Sequence, residues 1–278
     1  MTGSDPAALL ALAVSAAEQA GSLLAARHGQ AMVVQTKSSP TDVVTEMDRA
    51  AEELIRARIL ADRPADAILG EEGGQTGGSD DGQARPDGVR WIVDPLDGTV
   101  NYLYGLPDWS VSIAAEAGGV VVAGAVCLPV RGSLYTAVRG GGAWLQPADG
   151  PARRLACTTG VPLARALIGT GFGYEAARRR VQGRVVGALL PLVRDIRRSG
   201  VCSVDLCSLA AGQLDGYYER GVNYWDVAAG SLIAHEAGAM VGGLSGRPAG
   251  PSMTVAAGLP LFAELEQVLA GLDPERDD

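Results

Sequence analysis

Apolar residues recur at helical spacing near the beginning of the chain and again after a short polar interval. Residues 6–27 carry such a stripe, and Pro6 suits a first helical turn, so a long helix is predicted there. A second helix is predicted over residues 48–61, with its apolar positions, Leu60 among them, facing the core. The polar, glycine-rich residues 73–88 cannot pack and predict a surface loop or flap.

The pattern changes to alternation in the middle of the chain. Strands are predicted at residues 111–115, 120–126, 133–138 and 143–146, which indicates an antiparallel sheet. Later segments predict helices at 175–192, 204–212 and 227–237 and strands at 166–170 and 254–257. No linker divides these segments, so a single domain over 1–278 is predicted, with lobes of about 1–150 and 151–270.

Composition narrows the class of protein. With 278 residues and 47% hydrophobic side chains, the chain can bury a large core. A formal charge of -9 argues against general attraction to nucleic acid or anionic lipid, so neither is expected as a partner. No apolar run approaches the roughly 18 residues of a membrane span, and Asp5 before the first stripe argues against an export signal.

Cysteine and histidine usage narrows the chemistry. The four cysteines form no CxxC pair, which suits a reducing cytoplasm. Only two histidines are present, so a histidine-rich zinc site is not expected. Oxygen ligands must therefore carry any metal chemistry.

Two carboxylates follow a strand pattern at informative spacing. The apolar residues 91–93 run directly into DPLDGT at 94–99, which places Asp94 and Asp97 at a strand end. Pro95 restricts the backbone between them, so both side chains can converge beside the Leu96 carbonyl. Two acids and a carbonyl are ligands suited to a hard cation such as Mg²⁺.

Two further acidic turns lie elsewhere in the chain. Glu71 follows the short apolar run 67–69, and Asp226 precedes the helical pattern that begins at Val227. The second position predicts Asp226 as a helix N-cap, which by itself explains the residue. Convergence of three acidic turns on one pocket is the functional alternative.

These motifs resemble the inositol monophosphatase family. Its two signatures are similar to WIVDPLDGTVNY at 91–102 and WDVAAG at 225–230, and supporting motifs match at 37–42, at Asp48, at 70–72 and at 216–219. The resemblance runs from about residue 10 to 270. It implies an α+β fold, a layered αβαβα sandwich of the inositol monophosphatase and fructose-1,6-bisphosphatase type.

The resemblance also implies roles for individual residues. Two or three Mg²⁺ ions would be held by Glu71, Asp94, Asp97, Asp226 and the Leu96 carbonyl. Water activation would fall to Glu71 and Thr99, supported by Asp48 and Lys37. The amides of Gly98 and Thr99 would receive phosphate, and the alcohol would contact Asp97, Gly200, Val201, Cys202, Glu219 and Asp226.

Several alternatives stay open. Inositol 1-phosphate is the first choice of substrate because Glu219 suits ring hydroxyls, but Val201, Cys202 and Asn223 depart from the usual family pattern. Histidinol phosphate, fructose 1,6-bisphosphate, NADP and adenosine 3',5'-bisphosphate are substrates of related branches. A phosphoaspartate enzyme is disfavoured because Asp94 and Asp97 are one residue too far apart. A non-catalytic binding protein is the alternative from another class. A homodimer and lithium sensitivity are expected from the family.

Overall fold

The structure is a computed structural model that describes residues 5–30, 33–36, 43–78 and 88–276. Its helices are α1 (Pro6–Ala25), α2 (Glu46–Asp62), α3 (Thr99–Leu103), α4 (Ala176–Leu189), α5 (Cys202–Ala210), α6 (Tyr224–Glu236) and α7 (Leu261–Gly271). Three short 3₁₀ turns lie at Leu163–Arg165, Leu190–Leu192 and Leu244–Gly246.

The first part of the chain forms an eight-stranded sheet. Its strands are β3 (Ala67–Gly70), β4 (Gly74–Thr76), β5 (Val89–Asp97), β6 (Ser110–Ala117), β7 (Val120–Leu128), β8 (Ser133–Val138), β9 (Gly142–Pro147) and β10 (Arg153–Arg154). The spatial order is β10-β9-β8-β7-β6-β5-β3-β4, and a separate hairpin pairs β1 (Val33–Thr36) with β2 (Val43–Thr45). Every neighbouring pair in the large sheet is antiparallel except β3 with β5, which are parallel.

The second part forms a mixed five-stranded sheet. Its strands are β11 (Leu167–Thr170), β12 (Asp195–Arg197), β13 (Gly216–Glu219), β14 (Met240–Gly242) and β15 (Thr254–Ala257), in the order β12-β11-β13-β15-β14. The β11 strand is parallel to both β12 and β13, so the carboxyl ends of β11 and β13 meet at one edge.

The core divides into layers between these elements. Helices α1 and α2 pack on one face of the large sheet, and α5 and α6 pack on its other face. The same α5 and α6 contact the five-stranded sheet, whose outer face is covered by α4 and α7. This order of helix and sheet layers is the αβαβα sandwich that the resemblance implied, and that prediction is confirmed.

Local capping explains where the N-terminal helices begin. The Asp5 side chain accepts a hydrogen bond from the Ala7 amide at 3.1 Å, and Pro6 occupies the first turn of α1. By length and composition alone, the α1 helix could cross a membrane. The prediction that no apolar run approaches that length was therefore wrong. Its buried face packs on β6 and β7, as a core helix does.

Several sequence predictions needed correction. The α2 helix begins at Glu46 rather than 48 because Thr45 caps it, and Leu60 is 37% exposed rather than inward. Part of the predicted 73–88 loop is the strand Gly74–Thr76, and residues 79–87 lie outside the described residues. The α3 and α7 helices were not predicted: α3 has only five residues, and the apolar residues of Leu261–Gly271 were not assigned to an element.

Candidate active site

A bulge at the end of β5 brings Asp94 and Asp97 to the same side of the sheet. Asp94 pairs with Ser112 and Asp97 with Ser110, so three steps along β5 oppose two steps along β6. In a regular strand residues three apart point to opposite faces, but one extra residue cancels that alternation. The Asp94 Oδ1 atom accepts a hydrogen bond from the Leu96 amide at 3.0 Å, which closes the turn between the two acids.

Glu71 lies beside Asp94 because β3 and β5 are parallel neighbours. Gly70 pairs with Val93, and the Glu71 amide donates to the Val93 carbonyl at 3.2 Å. The loop after Glu71 is held by the buried carboxylate of Glu52 on α2, which accepts from the amides of Glu72 at 2.8 Å and Gly73 at 2.9 Å. Glu52 is thus a supporting residue that the sequence analysis missed.

Asp226 reaches the site from the first turn of α6. Its predicted role as N-cap was wrong: Asn223 is the cap, and Asp226 occupies the third helical position. The Asp226 Oδ2 atom accepts from the Asn223 amide at 2.6 Å and completes a capping box. One carboxylate oxygen therefore fixes the helix end, and the side chain is oriented by it.

The acids interact strongly with one another. Burial raises the pKa of Asp94 well above its ordinary value, and the charges of Glu71, Asp97 and Asp226 raise it further. Burial likewise raises the pKa of Asp226, with Asp97 and Glu71 adding to the effect. Carboxylates drawn from three elements thus share one region of negative potential, which only a cation or bound protons can neutralise.

The donor set fits a hard divalent cation. All the groups concerned are carboxylate or carbonyl oxygens, the ligands that Mg²⁺ prefers. A hydrogen bond between the Asp94 and Glu71 side chains adds to the rise in the pKa of Asp94. As the side chains stand, no three His, Cys, Asp or Glu groups within the described ranges enclose a cation position.

Thr99 is linked to α2 through Asp48. The Thr99 hydroxyl lies 2.9 Å from Asp48 Oδ1 and 3.2 Å from the Leu96 carbonyl. The other oxygen of Asp48 accepts from the Thr45 amide at 2.8 Å and from the Thr45 hydroxyl at 2.6 Å. Asp48 therefore completes the capping box of α2 and orients Thr99 at the same time. Lys37, which was assigned beside them, lies outside the described residues.

Asp97 joins the two halves of the site. Its Oδ2 atom accepts from the Ser203 amide at 2.8 Å and from the Ser203 hydroxyl at 2.5 Å, at the beginning of α5. Burial raises the pKa of Asp97 to about 6 although these hydrogen bonds act in the opposite direction. The preceding loop, Gly200 to Cys202, is brought beside residues 97–99 by this contact.

Gly98 shows how tightly that loop packs. Its backbone has φ 95°, a left-handed conformation that favours glycine, and a Cβ there would lie 2.7 Å from Val201 Cγ2. The neighbouring Asn101 side chain donates to the Ser199 carbonyl at 3.0 Å and to the Asp108 carbonyl at 2.7 Å. These contacts fix the Gly200 loop against the beginning of α3.

Glu219 stands at the carboxyl end of β13 and lies near enough to Asp97 for the two charges to interact. Its Oε2 accepts from the Tyr217 hydroxyl at 2.7 Å, and a Cβ on Gly171 would lie 2.1 Å from the same oxygen. Burial raises the pKa of Glu219 to about 7, with Asp97 adding to the rise. Cys202 is buried beside this group, where burial, Glu219 and Asp97 raise the pKa of its thiol.

The structure thus brings every described candidate to one region, between the end of the large sheet and α5 and α6. Its supporting residues Glu52, Ser110, Ser203 and Tyr217 were missed because a polar residue in a buried pattern gives no local signal of its partner. All four cysteines are free and buried.

A layered αβαβα sandwich with this carboxylate cluster defines a class of metal-dependent phosphatase folds. The model of the inositol monophosphatase family matches residues 5–273, and the chain belongs to that family.

Relatives agree over most of the chain. An inositol-1-monophosphatase, SuhB of Mycobacterium tuberculosis, is 44% identical over 279 residues, which cover 96% of this chain and 94% of that protein. The Nus factor SuhB of Pasteurella multocida is 39% identical over 235 residues, 84% of each chain. The crystal structure of the suppressor protein SuhB from Bartonella henselae superposes with a TM-score of 0.84 at 33% identity and covers 94% of this chain and 98% of that one.

Proposed function

We propose that the protein is a Mg²⁺-dependent phosphomonoesterase that hydrolyses inositol 1-phosphate to inositol and phosphate. The observation that carries the proposal is the cluster of Glu71, Asp94, Asp97 and Asp226. Burial and mutual repulsion raise the pKa values of Asp94 and Asp226, and a bound cation would stabilise their charged forms. A phosphatase is also supported by relatives named inositol-1-monophosphatase. The name Nus factor, carried by other relatives, makes a non-catalytic role the alternative.

The cluster and the Leu96 carbonyl would hold two or three Mg²⁺ ions. Bound Mg²⁺ supplies positive charge that attracts a phosphate dianion, acidifies water and stabilises the departing alkoxide. Without that charge, four carboxylates would repel a phosphate ester.

The residues of the chain position and deprotonate the attacking water. Thr99 donates its hydroxyl proton to Asp48, so its lone pairs are available to accept a hydrogen bond from water. Glu71 would take the proton that the water loses as it attacks phosphorus opposite the ester oxygen, while the P–O ester bond breaks and the departing alkoxide takes a proton from solvent water. Lys37 is assigned to the support of Thr99. The amides of Gly98 and Thr99 donate to the phosphate oxygens.

The alcohol side is formed by the other half of the site. Glu219, Asp97 and Asp226 supply acceptors for ring hydroxyls, and the loop of Gly200, Val201 and Cys202 forms the adjoining wall. A buried acceptor left without its hydroxyl partner disfavours substrates lacking that group. Polyol phosphates are therefore preferred over aromatic or heterocyclic ones. A homodimer, lithium inhibition and a cytoplasmic location stay predictions.

A turnover panel tests the proposal. Phosphate release is measured from inositol 1-phosphate, histidinol phosphate, fructose 1,6-bisphosphate, NADP and adenosine 3',5'-bisphosphate, each with Mg²⁺, with EDTA and with added Li⁺. The highest kcat/KM is expected for inositol 1-phosphate, with activity only in Mg²⁺. A higher value for another ester would replace the substrate, and no release from any ester would favour the non-catalytic alternative.

A further inference from the structure

Two fully buried serines form a chain of hydrogen bonds that ends on Asp97. The Ser203 hydroxyl lies 2.5 Å from Asp97 Oδ2, and the Ser110 hydroxyl lies 2.6 Å from that of Ser203. Both serines have no exposed surface. Neither serine was predicted from the sequence as a site residue, and neither belongs to the set proposed to contact Mg²⁺ or substrate.

The direction of this chain follows from counting protons. A serine hydroxyl has one proton to donate, and an ionised carboxylate only accepts. The Ser203 proton is therefore directed to Asp97, and the Ser110 hydroxyl donates to Ser203 in turn. A hydrogen bond to a charged acceptor is stronger than one between neutral groups, and a second donor behind it strengthens it further.

The backbone places both serines for this role. The bulge in β5 pairs Asp97 with Ser110 on the neighbouring strand, so Ser110 stands beside the acid by register. Ser203 lies in the first turn of α5, and its amide also donates to Asp97 Oδ2. Asp97 is thus held between a sheet and a helix end, both rigid elements.

We propose that Ser203 and Ser110 are positioning residues that fix Asp97 as a metal ligand through one oxygen. The Ser203 amide and hydroxyl commit Oδ2 to the protein, which leaves Oδ1 for the cation. Loss of the Ser203 hydroxyl would leave the backbone amide as the remaining Ser203 donor to Oδ2, so Asp97 would be held less firmly and the metal site would weaken without losing a ligand. The inference rests on the proposed function in that Asp97 binds Mg²⁺.

The test is Mg²⁺ binding to the full chain, measured by titration calorimetry without substrate. Ser203→Ala is expected to weaken Mg²⁺ binding about tenfold, the range seen when support behind a metal ligand is lost. Ser110→Ala should give a smaller loss, and the double variant should bind no worse than Ser203→Ala, because Ser110 acts through Ser203. Ser231→Ala is the matched control, since that hydroxyl has no hydrogen-bond partner in the described structure.

Each result has a defined meaning. Unchanged Mg²⁺ affinity in Ser203→Ala, or fully additive losses in the double variant, would overturn the inference while wild-type turnover still supports the proposed function. Wild type that binds Mg²⁺ but releases no phosphate refutes the function alone, and wild type that binds no Mg²⁺ refutes both. Thermal unfolding in EDTA checks folding. If Ser203→Ala does not fold, Ser110→Ala decides the question, because it removes no group that touches Asp97, and a wild-type affinity there would overturn the inference.

Discussion

Replacing Asp97 by asparagine should stabilise the metal-free protein while it abolishes activity. The carboxyl pKa is raised from 3.8 to about 6, chiefly by burial. A rise of that size means that the folded protein disfavours the charged carboxylate by about 3 kcal/mol relative to the unfolded chain. The amide introduced by Asp97→Asn would carry no charge and would still accept from Ser203, so a gain of about 1–3 kcal/mol in the free energy of unfolding is expected.

The sign of the pH dependence makes the prediction specific. Because the folded pKa lies above the unfolded one, the penalty is absent below pH 3.8, develops between 3.8 and about 6 and is complete above that range. The variant should therefore exceed wild type in EDTA at pH 7.5 and differ little near pH 4. Added Mg²⁺ should reverse the order at pH 7.5, since a ligand stabilises the protein that binds it more tightly.

Urea unfolding followed by circular dichroism measures these differences. The control is Asp149→Asn, which removes an exposed carboxylate and should change little at either pH. The reasoning would be refuted by a variant that is no more stable than wild type in EDTA at pH 7.5. It would also be refuted if the variant exceeded wild type by the same free energy at both pH values. Either result would mean that burying the Asp97 charge does not lower the free energy of unfolding of the metal-free protein.

Three further substitutions test separate parts of the site. Thr99→Val should lower kcat about 100-fold with little change in Mg²⁺ affinity measured by calorimetry, because it removes the hydroxyl that holds the water but no metal ligand. Equal losses in kcat and in Mg²⁺ affinity would contradict this. Asn223→Ala should cost about 1 kcal/mol of stability in urea unfolding, since α6 loses the side chain of its cap, with little change in Mg²⁺ affinity, because Asp226 accepts from the backbone amide of residue 223, which alanine retains; a large loss of affinity would show that the cap side chain orients the acid. Gly98→Ala should lower the melting temperature and the activity together, because of its φ of 95° and the 2.7 Å approach to Val201 Cγ2; wild-type values for both would show that the loop adapts.

The sequence identified Asp94 and Asp97 on local grounds because a strand pattern, a proline and a turn signal specify where both acids lie. Glu71 and Asp226 could be joined to them only through the family resemblance. Their convergence depends on the parallel pairing of β3 with β5 and on the packing of α6, which no local pattern encodes.

Some features were present in the sequence but were interpreted incorrectly. Thr45 and Asp48, like Asn223 and Asp226, stand three residues apart, which is the spacing of a capping box. Recognising that spacing would have placed both helix ends correctly. The same motif explains how Asp48 and Asp226 are held in place. In each, Oδ2 accepts a hydrogen bond from the backbone amide of the cap residue.

Other features had no signal in the sequence. Ser203 and Ser110 are separated by more than ninety positions, and their contact exists only because α5 begins beside the bulge of β5. Glu52 looks like any acid of an amphipathic helix until the loop after Glu71 is folded over it. Such contacts depend on tertiary packing rather than on propensity.

The central claim is that the carboxylate cluster is a Mg²⁺ site that hydrolyses inositol 1-phosphate. The most direct measurement compares wild type with Asp94→Asn for both Mg²⁺ binding by calorimetry and phosphate release in Mg²⁺ or EDTA. Wild type should bind Mg²⁺ and release phosphate only in its presence, and the variant should lose at least about 1,000-fold in turnover together with most of its Mg²⁺ affinity. Phosphate release by wild type in EDTA, or by the variant at the wild-type rate, would contradict the account.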